Sequence, residues 1–175
     1  DLQAESASAQ GRKLSSIFIG GGTPSLFTDR AIGHILEHAE RTLGFEADIE
    51  ITLEANPGTF EQARFSGFSS AGVNRLSIGI QSFQDHQLQL LGRIHGRDEG
   101  LRAVEMARRA GFNNINIDLM HGLPEQNLEG ALADLEQALA FEPEHLSWYQ
   151  LTIEQNTEFF SRPPTLPVED TLVDI

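Results

Sequence analysis

Short apolar runs alternate along the chain with stretches whose apolar positions recur every three or four residues. Ser16–Gly20 (SIFIG) predicts a strand that runs into three glycines. Between Asp29 and Leu43, the positions Ile32, Ile35, Leu36, Ala39 and Leu43 trace the face of a helix. Asp48–Ala55 (DIEITLEA) alternates as a strand does and stops at the turn signal Asn56-Pro57-Gly58. Thr59–Ala71 predicts a helix with Thr59 as N-cap and Gly72 as its stop. Arg75–Gln81 (RLSIGIQ) is the third strand, and helices follow over Asp85–Leu91 and Asp98–Ala110, the second closed by Gly111.

Asn114–Met120 (NINIDLM) is the fourth strand and breaks at Gly122-Leu123-Pro124. Leu128–Ala140 then predicts a helix with Leu132, Leu135 and Leu139 inward, and His145–Thr152 (HLSWYQLT) a last strand. Pro163, Pro164 and Pro167 forbid continuous regular structure in the tail. Five strands separated by helices, with no hairpin signal, imply βαβ units and a parallel sheet. Five are too few to close a barrel of eight, so the sheet is either open and doubly wound or part of a larger (β/α) barrel; the partial barrel is the expectation.

Composition narrows the function classes. The chain has 175 residues, 26 acidic against 12 basic side chains and a formal charge of −14, which argues against a nucleic-acid partner. No apolar run approaches the roughly 18 residues of a membrane span. There is no signal-peptide pattern, so the cytoplasm is the expected location. The first residue is Asp1 rather than Met, and the chain is expected to be a fragment. It contains no cysteine, which excludes disulfides and any cysteine-held cluster within this span.

Each predicted strand ends in residues a core does not need: Gly20–Thr23, Glu54, Gln81, then Asp118 and His121, then Gln150 and Thr152. Parallel strands bring their C-terminal ends to one face, where ligand sites of α/β folds are built. Each residue also has a plain alternative. The glycines form a tight turn with or without a ligand, and they match neither a P-loop nor a dinucleotide fingerprint. Glu54 is an exposed strand end or a ligand contact, and Gln81 a loop cap or a ligand contact. Asp118 lies between Ile117 and Leu119, where a carboxylate needs a donor or a charge partner. Arg93 and His95 lie in a solvated loop or on a rim where an Arg suits a ligand carboxylate. His121 reads as a hydrogen-bonded structural histidine, and Trp148 and Tyr149 as core or wall residues.

Taken together, SIFIGGGTPSLF, ITLEANPGTF, GVNRLSIGIQSF, LLGRIHG, INIDLMHGLPEQ and LSWYQLTIEQNTEFF resemble the radical-SAM heme chaperone (HemW-type) family, a relative of oxygen-independent coproporphyrinogen III oxidase. The likeness runs over nearly all of residues 15–170, and the PP-x-LP tail resembles the chaperone branch more than the oxidase branch. The resemblance implies a partial radical-SAM (β/α) barrel over residues 15–155. It also implies the end of a preceding helix or linker at 1–14 and the start of a C-terminal region at 156–175. It implies S-adenosylmethionine (SAM) as cofactor, with Gly21, Gly22 and Thr23 at its methionyl end and Glu54, Gln81, Arg93 and Asp118 lining the site. Arg93 would meet the carboxylate, and Thr152 would offer a backbone contact near the adenine.

In that family a [4Fe–4S] cluster is held by a CxxxCxxC segment, which the resemblance implies lies upstream of this span. The chain's own residues therefore carry no expected metal ligands and no expected catalytic side chain. The implied function is to bind heme and deliver it to heme-accepting proteins. Oxidative decarboxylation of coproporphyrinogen III is the enzymatic alternative, and binding of another small metabolite is the third.

Overall fold

A computed structural model describes residues 9–175; residues 1–8, most of the expected leading helix or linker, lie outside the described residues. Five strands form one sheet: β1 (Leu14–Ile19), β2 (Phe45–Ala55), β3 (Arg75–Gln81), β4 (Ile115–His121) and β5 (His145–Gln150). All four pairings are parallel and the spatial order is the order in sequence, β1 to β5. A doubly wound sheet must reverse direction at some strand to put helices on both faces. Without a reversal, every right-handed crossover returns on the same side and the sheet curls into part of a barrel.

The helices are α1 (Asp29–Leu43), α2 (Thr59–Gln62), α3 (Phe65–Ser70), α4 (Asp85–Leu90), α5 (Arg97–Arg109), α6 (Leu128–Leu139), α7 (Glu158–Ser161) and α8 (Glu169–Asp174). One core lies between them and the outer face of the sheet. Ile51, Leu53, Leu76, Ile78, Ile80, Ile115, Ile117 and Leu119 meet Ile32 and Leu36 of α1, Phe65 and Phe68 of α3, Ala103 and Val104 of α5, and Ala138 of α6. Alternate strand residues face the other way, and they are mostly polar. Gly72 and Gly111 stop α3 and α5 at φ of 108° and 93°.

Three expectations need correction. The helix predicted over Thr59–Ala71 is two, separated at Ala63-Arg64. The Arg64 guanidinium donates to the Leu26 and Phe27 carbonyls at 2.7 and 3.1 Å, tying this joint to the turn after β1. Ile35 of α1 is exposed, and α6 buries Ala131, Asp134 and Ala138 while Leu132 and Leu139 face outward. Of the three leucines expected inward only Leu135 packs against the core, beside the buried Ala131, Asp134 and Ala138. The prolines at 163, 164 and 167 do separate two short helices, α7 and α8.

Candidate functional site

The inner, concave face of the sheet is polar along its length. Near the strand starts, Arg75 Nη1 reaches Glu50 Oε1 at 3.2 Å and Asn114 Nδ2 donates to Glu50 Oε2 at 3.3 Å. One step along the strands, Asn116 Nδ2 lies 2.9 Å from the hydroxyls of Ser77 and Ser147. The next step holds Asp118, whose two oxygens accept from Asn116 Nδ2 at 2.7 Å and from the Ser77 hydroxyl at 2.8 Å. Those donors are what a carboxylate inside an apolar strand requires.

At the strand ends this face opens into a cleft of about 150 Å³, walled by Gly22, Thr23, Glu54, Gln81, Asp118 and Tyr149 among others. Glu54 Oε2 accepts the Gly21 N–H at 2.9 Å, which fastens the glycine turn to β2. Gly21 and Gly22 have φ of 85° and 62°, a region that side chains with a Cβ enter at a cost. A Cβ on either would meet no atom within 4 Å, so both present bare backbone to solvent. Gly20 is different: a Cβ there would lie 2.5 Å from the Phe18 ring and 2.9 Å from the Glu54 carboxyl carbon.

Gln81 is buried and left-handed, with φ of 71°. Its Oε1 accepts the Tyr149 hydroxyl at 2.7 Å. Burial, then the nearby Asp118 charge, pushes the Tyr149 phenol pKa up, so it stays a donor. Gly79 leaves room for the Gln81 amide, since a Cβ there would lie 2.9 Å from Gln81 Nε2.

Five residues singled out in the sequence, Gly22, Thr23, Glu54, Gln81 and Asp118, thus line one cleft, with Gly21 bonded to it. Arg93 is exposed and lines an adjoining cavity of about 380 Å³ with Gly58, Glu61, His95 and Glu99; Asn56 belongs to both. Thr152 is exposed, two residues past the end of β5. His121 turns away from the cleft and stacks on Trp148 with ring centroids 5.1 Å apart. Its buried Nδ1 has no hydrogen-bond partner, contrary to the expected bonded histidine, and burial lowers its pKa. Trp148 packs against the core. Ser77, Gly79 and Asn116 belong to the site without having been expected there, and Asn56, expected only in a turn, lines it too. For Ser77, Gly79 and Asn116 the signal was the alternation itself, polar or small residues at every second position of β3 and β4, whereas Asn56 lies in the turn after β2.

No group of three or more His, Cys, Asp or Glu side chains able to hold a metal occurs among the described residues. No helix among them is long and apolar enough to cross a membrane.

A sequential half-barrel with a polar cleft at its strand ends is the architecture of one large class, and the chain belongs to it: the Radical SAM superfamily profile matches residues 2–138. Within that class the chain is 58% identical over its whole length to the heme chaperone HemW of Haemophilus influenzae and 56% identical to that of Escherichia coli. It covers 46% of each, so it spans about half the length of the curated relatives it matches. The Escherichia coli coproporphyrinogen III oxidase (HemN), a radical SAM enzyme, superimposes with a TM-score of 0.83 at 28% identity, over 99% of this chain and 42% of that one. The resemblance carried by the six sequence motifs holds over the full chain, and the fold is the partial parallel barrel it implied.

Proposed function

We propose that this chain forms the SAM-binding wall of a radical-SAM heme chaperone, a cytoplasmic protein that binds heme and delivers it to heme-accepting proteins. The observation that carries the reading is the convergence of Glu54, Gln81, Asp118 and the Gly21-Gly22-Thr23 turn on one cleft at the strand ends. The chemistry of that set fits the cofactor. SAM offers an ammonium, a carboxylate, a sulfonium, ribose hydroxyls and an adenine. Glu54 and Asp118 accept from the ammonium or the ribose hydroxyls, and the open glycine backbone admits the methionyl end at close range. Gln81 supplies neutral amide donors, Arg93 meets the carboxylate from the adjoining cavity, and Thr152 offers backbone to the adenine.

The same residues do not fit an iron–sulfur cluster, because none of the 175 is cysteine. In this reading the thiolates belong outside the span, and bound SAM supplies radical chemistry only in their company. Residues 15–155 act as the barrel core, 1–14 as the segment leading into it, and 156–175 as the start of a C-terminal region.

The test uses full-length protein with its cluster reconstituted. Asp118→Ala and Arg93→Ala should each weaken SAM binding by about tenfold or more, the scale of one lost hydrogen bond to a charged group. Unchanged affinity in both would refute the assignment. Heme should bind and pass to an acceptor with no turnover of coproporphyrinogen III. Oxidative decarboxylation of that substrate would instead favour the oxidase reading, which the 28% identity to HemN supports.

A further inference from the structure

Directly behind the cleft lies a buried polar cluster whose members are not cleft residues. Asp134 of α6 is fully buried, with no solvent exposure. Its Oδ2 accepts the Ser82 hydroxyl at 2.7 Å and its Oδ1 accepts the Phe83 N–H at 2.7 Å. Gln84 extends the tie by donating to the Gly130 carbonyl of α6 at 2.8 Å. Burial raises the Asp134 pKa by penalising the ionised form, and the hydrogen bonds from Ser82, Phe83 and Gln84 act against that rise.

Ser82 and Phe83 are the two residues immediately after Gln81. The Ser82 N–H donates to the Ile80 carbonyl at 2.9 Å, closing a three-residue turn around Gln81. With φ of 71° at its centre, this is the rare and strained form of the γ-turn. Such conformations persist where the surroundings over-determine them. His95 Nε2 also donates to the Ile80 carbonyl, at 3.0 Å. The turn is therefore held at Ile80 by His95 and at Ser82 and Phe83 by one carboxylate from a helix more than 50 residues along the chain. Its consequence in the cleft is specific. The turn directs the Gln81 side chain to the Tyr149 hydroxyl and over Gly79.

We propose that Asp134 is a positioning residue that holds Ser82 and Phe83, keeps Gln81 in its left-handed turn, and so presents the Gln81 amide to the ligand in the cleft. This rests on the reading of the cleft as a SAM site.

The test measures SAM affinity by equilibrium dialysis, and thermal stability in parallel, on cluster-loaded full-length protein. Asp134→Asn keeps the side-chain volume and an oxygen for the Phe83 N–H but replaces the acceptor of the Ser82 hydroxyl with an amide donor. Asp134→Asn and Gln81→Ala should each lower affinity by about tenfold, and the double variant by no more than the larger single loss, because coupled residues are not additive. Ser82→Ala, which leaves Asp134 in place, should show the same pattern and serves if Asp134→Asn does not fold. A lowered melting temperature with unchanged affinity would mean Asp134 is merely structural and would overturn the proposal, as would full additivity with Gln81→Ala. If Gln81→Ala leaves affinity intact while Asp118→Ala lowers it, the proposal fails and the cofactor assignment stands. If all variants bind alike, the assignment itself has failed.

Discussion

Gln81 and Gly79 show how one residue's chemistry depends on another's absence of side chain. The Gln81 amide occupies the space a Cβ at position 79 would need. Gly79→Ala should therefore displace the amide and weaken SAM binding about tenfold, the effect expected when a cleft hydrogen bond is lost. The melting temperature should hardly move, since a flexible amide end can shift aside; calorimetry alongside a binding titration checks both. His95, the other support of this turn, makes a pH prediction. Burial foremost lowers its pKa, the Ile80 hydrogen bond opposes that, and Arg93 adds to the lowering. A depressed folded value means the unfolded chain binds more protons. The stabilisation is thus complete above the ordinary histidine value of about 6.5 and is lost as pH falls from there toward the folded value. Melting temperature should fall between about pH 7.5 and 5.5, and less in His95→Gln. An equal fall in both would assign the effect elsewhere, His121 being the other histidine depressed by burial.

At the scale of elements, the strands were more legible than the helices. A period of two is rigid, so ITLE, LSIGIQ and INID each assign apolar residues to the helix side and polar ones to the concave side. Helix faces are less constrained. The leucine spacing in α6 fits a helix equally well whichever arc faces inward, and Ala131, Asp134 and Ala138 took the inner arc. The same distinction sets the expected costs of substitution. Leu53, with no exposed surface on β2, should cost about 3 kcal/mol when replaced by Ala. Leu132→Ser, on the outer arc, should stay within about 0.5 kcal/mol, both measured by denaturant unfolding. The split between α2 and α3 had no local signal, because the carbonyls that Arg64 binds lie nearly forty residues away.

For the whole molecule, the sequential strand order decides that all crossovers lie on one side and that the concave face is free to be polar. A closed barrel of eight fills its interior with branched apolar side chains; this one lines it with Glu50, Arg75, Asn116, Ser147 and Asp118. Iron–sulfur reconstitution of residues 1–175 should yield no cysteine-ligated [4Fe–4S] spectrum, because the span holds no thiol. A stable cluster spectrum with stoichiometric iron would contradict this. The amino-acid sequence by itself determined the parallel βαβ order, the polar strand ends and the lack of thiolate ligands, since periodicity, crossover handedness and residue type are local properties. Tertiary structure alone decided which polar residues meet. Tyr149 reaches Gln81 across 68 positions and Ser82 reaches Asp134 across 52, and contacts so distant depend on how far the sheet curls and which arc each helix turns inward.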